Sequence, residues 1–368
     1  MTGTVHLPAT QMRLHASPDT RPPIERPKPI KSTGKPMRTS PPRPIERQFV
    51  AALASACLAL CAASHGAAQA QDRPLKIILP FGPGSGVDVI TRTLAPALSK
   101  ALGGQIVVIE NQPGAGGIPG THTMIKATPD GNTIGLVSNN HVIYPSVYKS
   151  LPFDPVADIT PIAVAGTTPM VVLVNPAKVA ARNVTELTAF FKARPGAYNY
   201  ASSGNGTILH LAAEMFIDEA GVDVRHIPYK GVGPMLADTI GGQVEMAVSA
   251  LPTVQGHLKS GALRAIGIGS KTRSPAAPEI PTIAEQGLPN YEIEGWFAVV
   301  APARLPSEQV KRLHAAFSTA FAAADVKEAM AKQGNAINLG TPEAAQQFFK
   351  SELAKYARLV RKSGVKLD

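Results

Sequence analysis

The chain has 368 residues, of which 44% are hydrophobic and 17% charged, and its mean hydropathy is +0.04. These values are typical of a soluble chain with enough residues for two domains. The formal net charge is +10, but the first 70 residues hold nine basic and three acidic residues, so the remaining 298 carry only +4. Because the positive excess lies mostly in that segment, we expect no nucleic-acid partner.

The N-terminal segment has the make-up of a secretory signal peptide. Basic residues precede an almost unbroken apolar run at 49–63, and Ala68-Gln69-Ala70 follows it as a cleavage site. The apolar run is too short to span a bilayer stably as a helix. We therefore expect residues 1–70 to be an extension and signal peptide that is removed, and the protein to be exported to the periplasm. Translation from Met37 would give a signal of ordinary length.

Both cysteines, Cys57 and Cys61, lie within the apolar run of this segment. The mature chain would therefore contain no cysteine, and neither disulfides nor thiolate chemistry is expected.

A strand, a glycine loop and a helix open the predicted mature chain. Residues 75–79 form a short apolar run that Pro80 ends, which is typical of a buried strand. The loop at 81–86 holds three glycines, and from Asp88 onward apolar residues recur at every fourth position, as in an amphipathic helix. Such a loop can hold an anion, because its free N–H groups and the helix dipole point the same way.

Strands and helices alternate along the rest of the chain. Further strands are predicted at 105–109, 132–137, 160–165, 170–174, 199–201, 224–227, 244–248, 263–268 and 291–300. Helices are predicted after each glycine loop, at 183–194, from 209 and over most of the chain beyond 307. This alternation predicts parallel α/β sheets, in which ligands lie at the carboxyl ends of the strands. We expect two α/β lobes that face each other across a cleft.

The candidate binding residues belong to polar loops at these strand ends. From the first loop and its helix they are Phe81, Gly82, Pro83, Gly84, Ser85, Gly86, Val87 and Asp88. From the later loops they are Asn139, Asn140, His141, Ser202, Ser203, Gly206, Thr207 and Ser249. Several could instead only cap a helix. For Asp88 the structural role is preferred, since its carboxylate would repel an anion.

The ordered motifs of the mature chain resemble those of the Bug/TctC family, the periplasmic solute-binding proteins of tripartite tricarboxylate transporters. The resemblance covers essentially all of residues 73–368. The motifs that carry it include IILPFGPGSGVD at 77–88, VVIENQPGAGG at 107–117, LPFDPVADITPIA at 151–163, NYASSGNGTILHLAAE at 199–214 and PTIAEQGLP at 281–289.

The resemblance implies a fold, a ligand and partners. The fold is the two-lobed periplasmic-binding-protein fold (type II, Venus flytrap), closing on a small carboxylate that backbone amides and hydroxyls hold, partly through water. The partners are two membrane subunits of a tripartite tricarboxylate transporter, and a monomer that needs no cofactor or metal is expected. We predict one lobe at 72–172 plus 293–368 and the other at 173–292, with crossings near 171–175 and 292–297.

Two departures from the family pattern affect the predicted pocket. Val87 stands where family members usually carry Thr, and Val248-Ser249-Ala250 stands where many read Phe-Asp-Asn. Both changes make the pocket less polar, and Ser249 removes a negative charge. We therefore expect a simple or partly apolar carboxylate that bears no amino group.

Two other functions deserve comparison with transport. A ligand sensor for a two-component kinase would use the same fold, and neighbouring genes would separate the two roles. A dinucleotide-binding oxidoreductase is disfavoured because Val87 replaces the last glycine of G-x-G-x-x-G, Pro83 fits that loop poorly, and the chain is exported. The sequence has no H-E-x-x-H or G-x-S-x-G motif, so we expect no enzyme activity.

Overall fold

The computed structural model describes residues 73–363. The predicted signal peptide, the alternative start at Met37 and both cysteines lie outside the described residues. Within 73–363, none of the helices combines the length and the apolar character needed to cross a membrane.

Ten strands form the framework of the described chain. They are β1 (Leu75–Leu79), β2 (Val107–Asn111), β3 (Thr133–Ser138), β4 (Ile159–Val174), β5 (Asn199–Ser202), β6 (Arg225–Pro228), β7 (Met246–Ala250), β8 (Arg264–Ile268), β9 (Glu294–Pro302) and β10 (Ala336–Ile337). The predicted strands are all present, with ends shifted by up to three residues except where two of them merge into β4.

Ten α-helices connect or follow these strands. They are α1 (Gly86–Ala101), α2 (Ile118–Ile125), α3 (Asn140–Val147), α4 (Val184–Lys192), α5 (Ile208–Ala220), α6 (Val232–Gly241), α7 (Leu251–Lys259), α8 (Ser307–Ala322), α9 (Ala324–Lys332) and α10 (Pro342–Ser363). Their N-termini follow the carboxyl ends of strands in several units, and this places helix dipoles at one edge of each sheet.

The strands form two groups that share β4. In the first, β2, β1 and β3 are parallel, and β9 is antiparallel to both β3 and β4. In the second, β6, β5 and β7 are parallel, and β4 is antiparallel to β7 and β8. Helices cover both groups, so the molecule is an α/β protein with two lobes. The predicted lobe boundaries remain a prediction.

The predicted parallel pairs are present in both groups, but antiparallel pairs that the sequence did not predict join them, and the long strand β4 explains why. It pairs with β9 as far as Pro169 and with β7 from Met170 onward, so one antiparallel strand serves both lobes. The two strands predicted at 160–165 and 170–174 are therefore one. Thr167 and Thr168 suggest a break beside the proline, but β-branched threonines suit an extended strand that has partners on both sides.

Two apolar clusters hold the layers together. One lies between α1, the first group of strands and α8, with Ile77, Leu94 and Phe317 fully buried or nearly so. The other fills the second lobe and extends to α10, where Phe349 and Tyr356 are buried. Each large side chain buried in this way contributes roughly 1.5–3 kcal/mol of hydrophobic free energy. The strand ends that carry the polar loops are thus fixed on rigid elements.

Candidate ligand-binding site

A cavity of about 60 Å³ lies between the two lobes. From the first lobe and the crossing strands its walls are Phe81, Ser85, Gly86, Val87, Ser138, Asn139, Asn140, Thr168, Gly295 and Trp296. From the second they are Met170, Ser203, Ile208, Leu209, Val232, Ser249, Ala250 and Thr253. Both polar loops predicted from the sequence therefore contribute to one cavity.

The glycine loop, residues 81–86, is held by a charged side chain that is not among the residues lining the cavity. Ser85 is the N-cap of α1, and its Oγ accepts a hydrogen bond from Asp88 N at 3.3 Å. The Asp88 carboxylate in turn accepts bonds from Gly84 N at 2.9 Å, from Arg92 Nε at 3.0 Å and from Asn111 Nδ2 at 2.9 Å. Burial by itself raises the pKa of Asp88, but these three donors lower it overall. The carboxylate is therefore a brace for the loop.

The serine loop, residues 202–207, is held by uncharged groups. Thr207 is the N-cap of α5, and its hydroxyl donates to Gly204 O at 2.8 Å. The Ser202 Oγ donates to the same carbonyl at 3.1 Å and accepts from Gly204 N at 3.2 Å. The side chains of Ser202 and Thr207 are therefore engaged within the loop, and Ser203 is the loop residue that lines the cavity.

The two asparagines at the end of β3 join separate parts of the site. The amide of Asn139 donates to Glu294 O at 3.1 Å and accepts from Trp296 N at 3.0 Å, which ties the start of α3 to β9. The Asn140 amide accepts from Ile208 N at 2.8 Å and donates to Gly116 O at 3.1 Å. Asn140 thus reaches from the first lobe to the first N–H of α5 in the second.

His141 lies outside the cavity, although the sequence suggested it as a binding residue. Its Nε2 donates to Pro155 O at 2.7 Å, and its ring contacts Phe153 and Phe349. Burial lowers the pKa of His141 to about 4. A neutral imidazole in this apolar setting serves the core.

The lobes approach each other closely at the cavity. A Cβ built on Gly86 would lie 2.9 Å from Ala250 Cβ, so only a glycine fits the first residue of α1. Further along the cleft the Tyr148 hydroxyl donates to Asn205 O at 3.3 Å. Position 86 therefore requires a glycine for a steric reason, independent of the geometry of the turn.

Three hydroxyls at the cavity have no hydrogen-bond partner among the described residues. They are the buried oxygens of Thr168, Ser249 and Thr253. A buried hydroxyl without a partner costs free energy, so these groups indicate where a polar ligand atom can bind. Three helices also begin at the cavity: α1 at Gly86, α6 at Val232 and α7 just after Ala250.

The cavity is uncharged but electrostatically suited to an anion. No Lys, Arg, Asp or Glu is among the described residues that line it. Helix N-termini supply partial positive charge and free N–H groups, which stabilise a bound carboxylate without a cationic side chain. Within 73–363 there is also no group of His, Cys, Asp and Glu side chains that could hold a metal ion.

The structure brings half of the sequence-predicted residues to the cavity. Those that line it are Phe81, Ser85, Gly86, Val87, Asn139, Asn140, Ser203 and Ser249. Those that do not are Gly82, Pro83, Gly84, Asp88, His141, Ser202, Gly206 and Thr207. The second set shapes the loops or the core, and direct ligand contact by any of the sixteen stays a prediction.

Several residues that line the cavity were not predicted from the sequence. Thr168 lies in the gap between the strands predicted at 160–165 and 170–174, and Thr253 lies beyond the end of the strand predicted at 244–248. The apolar residues Met170, Ile208 and Val232 could not be separated from core residues by their pattern. A signal existed for Trp296, the only tryptophan of the chain, which lies where a crossing between lobes was predicted.

Solved structures of similar proteins share this architecture. The periplasmic binding protein BugD is 31% identical with a TM-score of 0.76, over 80% of this chain and 99% of that one. MatC from Rhodopseudomonas palustris, solved with malate, is 26% identical with a TM-score of 0.74, over 78% and 99%. An R. palustris protein solved with adipate is 29% identical with a TM-score of 0.77, over 80% and 99%. The fold is that of the periplasmic binding proteins.

Sequence comparison agrees with the structural one. Protein BugT of Bordetella pertussis is 37% identical over 297 residues, which are 80% of this chain and 90% of BugT. The family described as the tripartite tricarboxylate transporter family receptor, TctC, matches residues 90–365. It is a family of periplasmic binding proteins and not of enzymes. On these grounds, and on the fold, this chain belongs to the TctC receptor family.

Proposed function

We propose that the protein is a periplasmic receptor that binds a small carboxylate between its lobes. It would deliver the carboxylate, chemically unchanged, to the membrane subunits of a tripartite tricarboxylate transporter. The observation that carries the proposal is the cavity itself, where unpartnered hydroxyls and helix N-termini meet without a charged side chain. The family and the predicted signal peptide support transport in the periplasm.

Hydrogen bonds at the cavity can supply the binding free energy that a receptor needs. A hydrogen bond to a charged group contributes roughly 1.5–3 kcal/mol net. A few such bonds from N–H groups of α1 and from Thr168 and Ser249 reach about −8 kcal/mol, which corresponds to micromolar affinity. Because these donors come from both lobes, a ligand that contacts them all favours the closed arrangement.

The character of the walls narrows the ligand class. An ammonium group would need a carboxylate or several acceptors, and the described lining offers no carboxylate. Val87, Met170 and Trp296 instead offer apolar contact to a hydrocarbon chain. The relatives solved with malate and with adipate support a di-acid without an amino group. We propose such an acid, with a partly apolar chain, as the ligand of this protein.

Removal of single hydroxyls tests this proposal directly. In Thr168→Val and Ser249→Ala the lost oxygen has no protein partner, so the free protein should be as stable as the wild type or slightly more so. Binding of adipate or malate should weaken about tenfold for each, since one hydrogen bond to a charged group is lost. Titration followed by the fluorescence of Trp296, together with thermal unfolding, measures both quantities.

Thr239→Val is the matched control for these variants. Its hydroxyl is buried but donates to Met235 O at 2.8 Å, away from the cavity. This variant should lose stability and keep its affinity. Tighter binding of aspartate than of malate would overturn the ligand class, and unchanged affinity in both cavity variants would overturn the assigned wall.

A further inference from the structure

A stacked pair of histidines lies behind the serine loop. His210 on α5 and His226 on β6 have ring centroids 3.9 Å apart and nearly parallel planes, at 10° to each other. Tyr200 on β5 also stacks with His226, with ring centroids 4.8 Å apart. His210 is buried, at 6% exposed, and His226 is half-buried. Nothing in the binding site described above uses these rings.

Each ring of the pair is bonded to a different end of the serine loop. The His210 Nδ1 accepts a hydrogen bond from Gly206 N at 3.1 Å. The His226 Nε2 lies 2.7 Å from the Ser202 Oγ, which is itself bonded to the carbonyl and the N–H of Gly204. The two imidazoles therefore hold both ends of the loop, and the contact between the rings links them.

We infer that His210 and His226 are joint positioning residues for the serine loop, and that a proton on the pair releases the loop from its binding geometry. The inference rests on the proposed function, since it concerns the same cavity. Ser203 of this loop lines the cavity, and Asn205 meets Tyr148 of the other lobe. A displaced loop would therefore change both the cavity wall and the contact between lobes.

The acceptor at Gly206 makes the arrangement sensitive to protonation. His210 Nδ1 can accept only while it carries no proton, so the neutral ring has its hydrogen on Nε2. A second proton converts Nδ1 into a donor that faces the N–H of Gly206, and the bond is lost. Two charged rings 3.9 Å apart would also repel each other, so a proton on one ring disfavours a proton on the other.

The titratable groups that face the pair determine where that proton lies. They are Tyr200 on β5, whose hydroxyl donates to Glu214, and Glu214 on α5, whose Oε1 lies 3.7 Å from His210 Nε2. The Glu214 carboxylate balances a charge on His210. Burial, and next the neighbouring His210, lower the pKa of His226 to about 4, so His226 stays neutral in mild acid.

Amide exchange of the full mature protein tests the inference without a ligand. We expect the wild-type protection of the Gly206 amide, corrected for intrinsic exchange, to fall about tenfold between about pH 7.5 and pH 5. In His210→Gln an acceptor remains that does not titrate, so protection should persist at both pH values. In His210→Phe the acceptor is lost, so protection should be low at both.

Two further measurements complete the test. His257→Gln, on the far end of α7, is the matched control and should reproduce the wild-type pH dependence. The nitrogen-15 chemical shift of His210 Nδ1 in the wild type should be that of an unprotonated acceptor at about pH 7.5, a result that needs no variant to fold. A protonated Nδ1 there, or equal protection of Gly206 in the wild type and His210→Phe, would overturn the inference.

Binding of adipate separates this inference from the proposed function. Adipate itself takes up protons at about pH 5, so the variants are compared with each other: over the same pH range the wild type should lose about tenfold more affinity than His210→Gln. If adipate and malate fail to bind any variant while the exchange results hold, the proposed ligand class is wrong and the positioning role stands. If adipate binds and its affinity falls equally with pH in the wild type and in His210→Gln, the positioning role is wrong and the proposed function stands.

Discussion

The glycine loop and the serine loop do the same structural task with different chemistry. Each follows a strand, precedes a helix and reaches the cavity through one or more of its residues. The glycine loop is braced by the carboxylate of Asp88, which binds Arg92 and Asn111. The serine loop is braced by hydroxyls and by the neutral rings of His210 and His226.

The difference between the loops concerns pH. The lowered pKa of Asp88 keeps its carboxylate charged until the solution is strongly acidic, so the glycine loop keeps its brace over the whole neutral and mildly acidic range. The histidine contacts of the serine loop depend on His210 Nδ1, which accepts from Gly206 N only while it carries no proton. The cavity wall formed by the glycine loop is therefore constant with pH, and the wall formed by the serine loop changes with pH.

Of the changes that test this difference between the loops, removal of the Asp88 carboxylate should have the largest effect on stability. Asp88→Ala leaves Gly84 N, Arg92 and Asn111 without their acceptor, and we expect a loss of about 2–3 kcal/mol in the free energy of unfolding. Urea denaturation at neutral pH measures it. Because the folded pKa lies below the ordinary value of 3.8, the loss should be complete above that pH and shrink as pH falls through the folded pKa.

An exposed ion pair gives the control for this variant. Glu328 pairs with Lys332 at 2.6 Å, but both side chains are about two-thirds exposed or more, at 66% and 74%. Glu328→Ala should therefore change the free energy of unfolding very little. If Asp88→Ala were no more destabilising than that, the carboxylate would not be the brace of the glycine loop.

A methyl group added at position 86 should have the next largest effect. It should weaken ligand binding because it hinders closure of the two lobes. In Gly86→Ala the new Cβ meets Ala250 Cβ at 2.9 Å, so one of the two lobes must shift. Overpacking of this kind costs about 1–2 kcal/mol, which predicts adipate binding that is roughly five- to thirtyfold weaker. Titration with Trp296 fluorescence gives the affinity, and small-angle scattering reports whether the lobes have opened.

Gly82→Ala is the matched control within the same loop. A Cβ there would have its nearest neighbour, Pro113 Cβ, at 3.9 Å, which is ordinary contact. Affinity should stay at the wild-type value. Equal losses in the two variants would show that the glycine loop needs flexibility and that the close approach at Gly86 is not the cause.

The local features of the fold could be read from the sequence because they depend on neighbouring residues. The glycines at 82, 84 and 86 before an apolar stripe predict a turn and a helix start, and Asn183 with Glu186 predicts a capped helix that the structure contains. The alternation of strands with helices also predicts the α/β class of the fold, which the structure has. These features need no information about distant partners.

The long-range features could not be read in this way. The antiparallel pairing of β4 and β9 depends on which strands meet across the lobes, and Pro169 hides the continuity of β4. Thr168 and Thr253 reach one cavity from positions 85 residues apart. His210 and His226 look like separate core residues until the packing of α5 on β6 stacks their rings. Such sites arise from tertiary contacts that no local pattern encodes.

The smallest predicted effect tests whether the serine loop itself takes part in closure. Tyr148→Phe removes one half-buried hydroxyl that donates to Asn205 O across the cleft at 3.3 Å. Because the bond is long and partly solvated, we expect a loss of about 0.5 kcal/mol, or roughly twofold in adipate affinity. Tyr229→Phe is the control, since its bond to Asp238 at 2.7 Å lies within one lobe.

The pH dependence of this small effect connects it to the histidine pair. In mild acid the released loop no longer holds Asn205 against Tyr148, so wild type and Tyr148→Phe should converge in affinity as the pH falls to about 5. In the His210→Gln background the twofold difference should persist. If the twofold difference in affinity instead stays constant with pH whether residue 210 is His or Gln, the contact between Tyr148 and Asn205 does not depend on the position of the serine loop. The pH-dependent part of the cavity wall would then be Ser203 alone.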